Sequence, residues 1–263
     1  MVFYEPDSRD RDLLPYDPFK AFIAPRPIGW VSTLGPDGEV NLAPYSFFNA
    51  VCDRPPMLMF SSDGPKDSAT FADSGGEFVW NLPTWELREQ MNATSEELPR
   101  GTNEFEVAGL EMAPSRLVAP PRVAAAPVAL ECKVVGRVEL RDVEGAPAPN
   151  IVVFGQVVGV HVDERHIVDG RFDTAGVKPI ARCGYRGDYA VVTETGQGVP
   201  TIDLRVDYLR PARRGDLLAV GRTLRVGRTV SVADVEIRDA TGTLVAVGRA
   251  VYASPRPKDP SAG

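Results

Sequence analysis

Residues 25–62, PRPIGWVSTLGPDGEVNLAPYSFFNAVCDRPPMLMFSS, decide how this chain folds. Three apolar runs, 28–34, 40–43 and 57–61, are separated by turn chemistry. In Gly35-Pro36-Asp37-Gly38 the proline ring fixes φ while Asp and Gly accept a tight bend, so a hairpin is expected. Arg54-Pro55-Pro56 breaks the chain a second time. Between the breaks, residues 43–49 (APYSFFN) interleave aromatics with small polar groups. A plain core strand alternates more cleanly. A segment lining a flat ligand has this composition, with aromatic bodies for packing and Ser and Asn for hydrogen bonds. The residues alone leave both readings open.

The 263 residues suffice for one large domain or two small ones. A net charge of −7 argues against a nucleic-acid binder that relies on overall positive potential. No apolar run approaches the ~20 residues of a membrane helix, so no membrane span is expected. The N-terminal MVFYEPDSRDRDLLPYDP is charged and Pro-containing, unlike a secretory signal. Cys52, Cys132 and Cys183 are far apart and form no CxxC, which suits a reducing cytoplasm and leaves no cysteine zinc site. His161 and His166 are the only histidines, without an HExxH, and no metal site is expected. No GxGxxG follows a strand, so no Rossmann nucleotide site is expected either.

Taken in order, residues 1–18 read as an exposed arm and 19–24 as one helical turn. After the opening strands, a helix is expected from Lys66 and a strand over 77–82. A helix follows over 85–93 with Thr84 as N-cap, then a shorter one over 103–108 stopped at Gly109. Residues 117–126 read as extended, 128–140 and 151–162 as long strands, 145–149 as a loop and 163–173 as a polar excursion. His161 in its strand reads as a packed side chain and His166 as surface.

Beyond Tyr189 the pattern changes. Segments 201–208, 217–226, 229–237 and 244–252 are strand-like and joined by turn residues, an antiparallel meander. The domain plan is an arm (1–18), a first domain (19–195), the meander (199–253) and a disordered tail (254–263).

The opening stretch resembles the flavin reductase-like family, the FMN-binding split barrels. The resemblance continues through Ser61-Ser62-Asp63-Gly64-Pro65-Lys66-Asp67-Ser68, Gly76-Glu77-Phe78-Val79-Trp80-Asn81-Leu82, and Asn103-Glu104-Phe105-Glu106-Val107-Ala108-Gly109-Leu110. It extends to Leu130-Glu131-Cys132-Lys133 and Pro179-Ile180-Ala181-Arg182-Cys183-Gly184, covering roughly residues 15–190. The meander is similar to the back half of hotdog-fold acyl-CoA thioesterases, without the long central helix of that fold; the eight residues 193–200 are too short to be one. The expected fold is mainly β with a few short helices: an FMN-binding split β-barrel followed by an incomplete hotdog-like antiparallel β-meander.

The resemblance implies FMN as cofactor, with FAD second, and NAD(P)H as reductant. By position, Trp30, Val31, Ser32, Thr33, Tyr45, Ser46, Phe47, Phe48 and Asn49 would face the flavin ring. For Trp30, Phe47 and Phe48 ordinary core packing is the competing reading. Ser61, Ser62, Lys66, Asp67 and Ser68 would form the phosphate cradle at the start of a helix, where unpaired N–H groups favour an anion. A plain N-cap and solvated loop is the alternative there, and Asp67 could serve as the cap. Arg182 is placed by the family near the flavin, or reads as surface charge. No acid or base residue is assigned, because the flavin carries the redox chemistry.

The implied protein is a cytoplasmic homodimer that reduces flavin and supplies it to a monooxygenase partner. Three rivals stand beside it: a flavin-binding electron carrier that uses no nicotinamide, an acyl-CoA thioesterase or acyl-CoA binder centred on the meander, and an assembly module.

Overall fold

The computed structural model describes residues 2–96, 98–99, 101–185, 189–191, 201–208, 218–225, 230–239 and 241–253. The chain divides into two compact units, Met1–Thr193 and Glu194–Gly263.

The first unit is built on one seven-stranded antiparallel sheet. Its strands are β1 (Gly29–Leu34), β2 (Val40–Tyr45), β3 (Phe48–Asp53), β4 (Pro56–Asp63), β5 (Glu77–Asn81), β6 (Val128–Arg141) and β7 (Pro147–Val162). Their order is β2-β1-β5-β6-β7-β4-β3. The expected hairpin joins β1 to β2, with Gly38 at φ 90°. That left-handed conformation suits glycine, which has no Cβ to clash.

Side chains alternate across β1, and both of its faces are covered. Val31 faces a core with Phe48, Phe60, Phe78 and Val153. Trp30 faces a second core with Leu42, Met91, Phe105 and Val123. Covering the Trp30 face is the task of the segments between β5 and β6. They include α2 (Arg88–Ala93) and α3 (Glu104–Val107), which contribute Met91 and Phe105.

The edge strands β2 and β3 are not paired with each other, so the sheet rolls without closing. Only Ser46 and Phe47 lie between them. The Ser61 N–H donates to the Phe47 carbonyl at 2.9 Å, and the Tyr45 ring packs on Phe60 at 5.0 Å. These contacts hold the turn at the split. The helix α1 (Asp67–Gly75) follows β4 and buries Ser68, Ala69, Phe71 and Ala72. Its small residues allow close approach, and Gly76 closes it at φ 68° with an N–H to Ala72 O at 3.0 Å.

Several local expectations need correction. Helix α2 starts at Arg88 rather than Trp85. Residues 85–87 form a turn, because the Trp85 N–H is taken by Lys178 O at 2.9 Å and Thr84 bridges Pro179. Within 117–126 only Arg122–Val123 is strand. Strand β7 already begins at Pro147, inside the expected loop. Strand β3 was not foreseen as a strand.

The second unit contains β8 (Thr201–Tyr208), β9 (Leu218–Arg225), β10 (Val230–Arg238) and β11 (Leu244–Ala253). The sheet order is β8-β11-β10-β9, all antiparallel, with no helix among the described residues. The incomplete meander is therefore present. Asp239 closes its last turn by accepting from the Thr241 and Thr243 N–H groups, both at 3.0 Å. The residues expected to join β8 to β9 and β9 to β10, segment 193–200 and the tail from Pro255 lie outside the described residues.

Candidate functional site

A cleft of about 420 Å³ opens where β2 meets the start of α1. Its lining includes Asn41, Ala43, Tyr45, Lys66, Asp67 and Glu104. The chain turns into it at Gly64, whose φ of 80° leaves open space where a side chain would sit. The Ser62 hydroxyl and the Lys66 N–H both donate to Gly64 O, each at 2.9 Å, and fix that turn. Lys66 is the N-cap of α1, and the first intrahelical bond runs from Thr70 N to Lys66 O at 2.9 Å. The N–H groups ahead of that bond are the ones a helix leaves without intrahelical carbonyls, and they carry its partial positive charge.

Beneath the helix end lies a hydroxyl cluster. Asn41 Nδ2 donates to Ser68 Oγ at 2.7 Å, and the Tyr45 hydroxyl bonds to the side chains of Ser68 and Ser62. Ser62 and Ser68 are buried. Burial pushes the Tyr45 phenol up, so it stays a neutral donor. Glu104 accepts from the Leu42 N–H at 3.0 Å. Burial, reinforced by nearby Asp67, pushes its carboxyl up as well. The donor set of helix N–H groups, one exposed ammonium and clustered hydroxyls fits a phosphate. The carboxylates of Asp67, Glu96 and Glu104 on the same lining oppose one, and Glu104 opposes it least when protonated.

Of the residues singled out from sequence, Tyr45, Ser62, Lys66, Asp67 and Ser68 come together in this region. The others do not. Trp30, Val31, Ser32 and Thr33 are each 0% exposed. Trp30 Nε1 donates to Thr94 Oγ1 at 3.0 Å, the Ser32 hydroxyl donates to Pro121 O, and Thr33 Oγ1 has no partner. These side chains belong to the interior. Phe48 is buried and stacks on Trp80, 5.7 Å between centroids and 8° between planes. Asn49 is exposed and accepts from the Ala50 N–H at 2.9 Å. Ser61 points opposite to Ser62 and accepts from Asn150 Nδ2 at 3.1 Å. Ser46 and Arg182 line a different cleft, and the half-buried Phe47 ring lies 5.8 Å from Lys20 Nζ.

Two contributors escaped the sequence reading. Asn41 sits in an otherwise apolar run, and Glu104 lies in a block whose resemblance was noted without a role. The lone polar residue in a strand was the usable signal for Asn41.

A second buried polar group is structural. Glu131, 0% exposed, accepts from the Arg116 N–H at 2.7 Å, the Leu117 N–H at 2.6 Å and His161 Nε2. Burial alone would raise its carboxyl; His161 and the two amides outweigh that and hold it below the usual value. His161 is thus a packed side chain. Among the described residues no cluster of His, Cys, Asp and Glu could hold a metal, and no helix is long and apolar enough to cross a membrane.

Comparison with known proteins places these features in context. Residues 22–175 match the flavin reductase like domain, and residues 172–246 match the thioesterase superfamily. A Deinococcus radiodurans protein is 38% identical over 193 residues, covering 68% of this chain and 82% of its own length. The crystal structure of nitrilotriacetate monooxygenase component B from Bacillus cereus superposes with a TM-score of 0.68 at 30% identity, covering 75% of this chain and 98% of that one. The C-terminal part is 46% identical over 52 residues to the medium/long-chain acyl-CoA thioesterase YigI of Escherichia coli. That match covers 20% of this chain and only 34% of the thioesterase.

Proposed function

This chain belongs to the flavin reductase-like domain family, and from that premise we propose that it binds FMN and reduces flavin with NAD(P)H. The observation that carries the binding reading is the start of α1, where Lys66 and the first-turn N–H groups meet one cleft above the buried Ser62 and Ser68 hydroxyls. A flavin held there would supply two-electron acceptor chemistry for a nicotinamide hydride donor. The chain's part is to hold and orient. Lys66 and the helix end neutralise the phosphate. Asn41 and Ser62 fix the hydroxyls of Ser68 and Tyr45 through the bonds described above. Glu104, its carboxyl pushed up by burial, opposes the phosphate least when protonated.

FMN is preferred to FAD on the family resemblance. The same resemblance supports a homodimer, and the three widely spaced cysteines suit a reducing cytoplasm. The Bacillus cereus relative, named as a component of a monooxygenase, supports a monooxygenase as recipient of the reduced flavin. The acyl-CoA reading has less support: the matched segment spans about a third of the thioesterase, and the described part of the second unit has no helix.

The test is anaerobic rapid mixing of the FMN-loaded protein with NADH and with NADPH, following the visible flavin band. Bleaching at a rate that saturates with nucleotide is expected. A band that persists with both nucleotides, yet disappears with dithionite, would mark an electron carrier instead.

A further inference from the structure

We infer that a second cleft, about 380 Å³ and lined by Lys20, Arg26, Ser46, Arg182, Phe19 and Tyr185 among others, binds the phosphate groups of a nucleotide, the nicotinamide reductant on the reading above. The inference rests on that reading for the nucleotide's identity and on its own geometry for the site.

The geometry begins with strand pairing. Arg26–Pro27 lies antiparallel to Ile180–Arg182, and Arg26 stands directly opposite Arg182. Like charges in facing positions repel. Arg26 is only 6% exposed. Its guanidinium donates to the carbonyls of Lys20, Ile23 (2.7 Å) and Cys183 (2.9 Å), while Nε has no partner. Carbonyls fix the group without neutralising it. Burial, and then Arg182, lower its hold on the proton. Arg182 lies over the Tyr189 ring at 4.7 Å, and Lys20 over the Phe47 ring at 5.8 Å. Among the described residues, none of these three cations forms an ion pair.

Among the described residues one acid lines the cleft, and it is already engaged. Asp17 accepts from the Phe19 N–H at 2.9 Å and pairs with Arg9 at 3.4 Å. Among the described residues, three cations against one paired acid leave the lining positive, the reverse of the first cleft with one lysine and three acids. Phe19 and Tyr185 on the lining are 53% and 47% exposed. Tyr185 sits edge-on to Tyr16 at 6.2 Å, and cations beside part-exposed aromatic rings suit a ligand that joins phosphates to a base. The two clefts are close: Tyr45 lines the first and Ser46 the second, and consecutive Cα atoms are about 3.8 Å apart. On the reading above, a nucleotide anchored here would extend past the Tyr45–Ser46 backbone to reach a ligand in the first cleft.

The experiment titrates the full-length, FMN-loaded protein with ADP and with inorganic pyrophosphate by calorimetry, and measures nicotinamide oxidation in parallel. Both probes are expected to bind and to compete with the nicotinamide nucleotide. R182A and K20A should each weaken the probes and raise KM about tenfold, with FMN retained, because each removes a charge-assisted contact. R182K should keep most of the binding. K20A alters an exposed side chain, so it gives a reading even where R182A folds poorly. Failure of both probes to bind would overturn the inference, as would equal binding to wild type and K20A. Loss of FMN from R182A in step with loss of ADP would also overturn it, because the cleft would then belong to the flavin. Charge-dependent ADP binding by a protein that oxidises neither nucleotide would leave the phosphate site standing and remove only the reductase reading.

Discussion

Replacing Lys66 by Met and Glu104 by Gln should move FMN affinity in opposite directions. Among the described residues Lys66 is the only cation on the lining of the first cleft, and Glu104 is one of its acids. A hydrogen bond to a charged group contributes about 1.5–3 kcal/mol. Lys66 is exposed, so solvent screening puts its share near the lower end, about 1.5 kcal/mol, or roughly a tenfold weaker Kd in K66M. E104Q removes a carboxylate while its side-chain oxygen can still accept from the Leu42 N–H. With charges several ångströms apart and an effective dielectric between protein and water, the relief is about 1 kcal/mol, roughly a fivefold tighter Kd. Quenching of FMN fluorescence on titration into the apoprotein measures both. Added salt should shrink the K66M effect, because the exposed charge is screened. Two variants that shift affinity in the same direction, or not at all, would refute the placement of a phosphate in this cleft.

Three further outcomes follow from the same contacts. The carboxyl of Glu104 is raised in the fold, so its stabilising contribution is complete below the ordinary carboxylate range and is lost as pH rises through the raised value. E104Q should therefore gain melting temperature relative to wild type at neutral pH and not in acid. Glu131 is the opposite case: its carboxyl is lowered, so its contribution is present above the ordinary value and lost as pH falls through the lowered one. E131A, which leaves two amides and His161 without their acceptor, should cost about 3 kcal/mol in denaturant unfolding at neutral pH, and less in acid. G155A should destabilise by about 1–3 kcal/mol, since the added methyl meets the ring of the fully buried Phe78.

What could be read from the sequence was what local chemistry dictates. The β1–β2 hairpin was legible because Gly35-Pro36-Asp37-Gly38 fixes it within four residues. The start of α1 was legible because small polar residues follow a Gly-Pro break. Strand β3 was not, since Asn49, Ala50, Val51 and Asp53 are exposed on a sheet edge and leave no alternation to detect. The start of α2 was misplaced because a partner distant in sequence, Lys178, holds the preceding turn. In the site, Ser32 and Thr33 were carried over by position from the resemblance, while the fold covers both faces of β1 and buries their side chains. The placing of Arg182 beside Arg26 depends on a pairing of strands far apart in the chain, which no local pattern encodes. Nor does Glu104 announce itself: its proximity to α1 arises only when α3 packs on β2.

The central claim is that the first cleft grips a flavin by its phosphate. Parallel titration of the apoprotein with FMN and with riboflavin, which lacks the phosphate, tests it most directly. FMN should bind at least about tenfold more tightly than riboflavin, and K66M should close most of that gap. Equal affinity for the two flavins, or a protein that binds neither, would contradict the account.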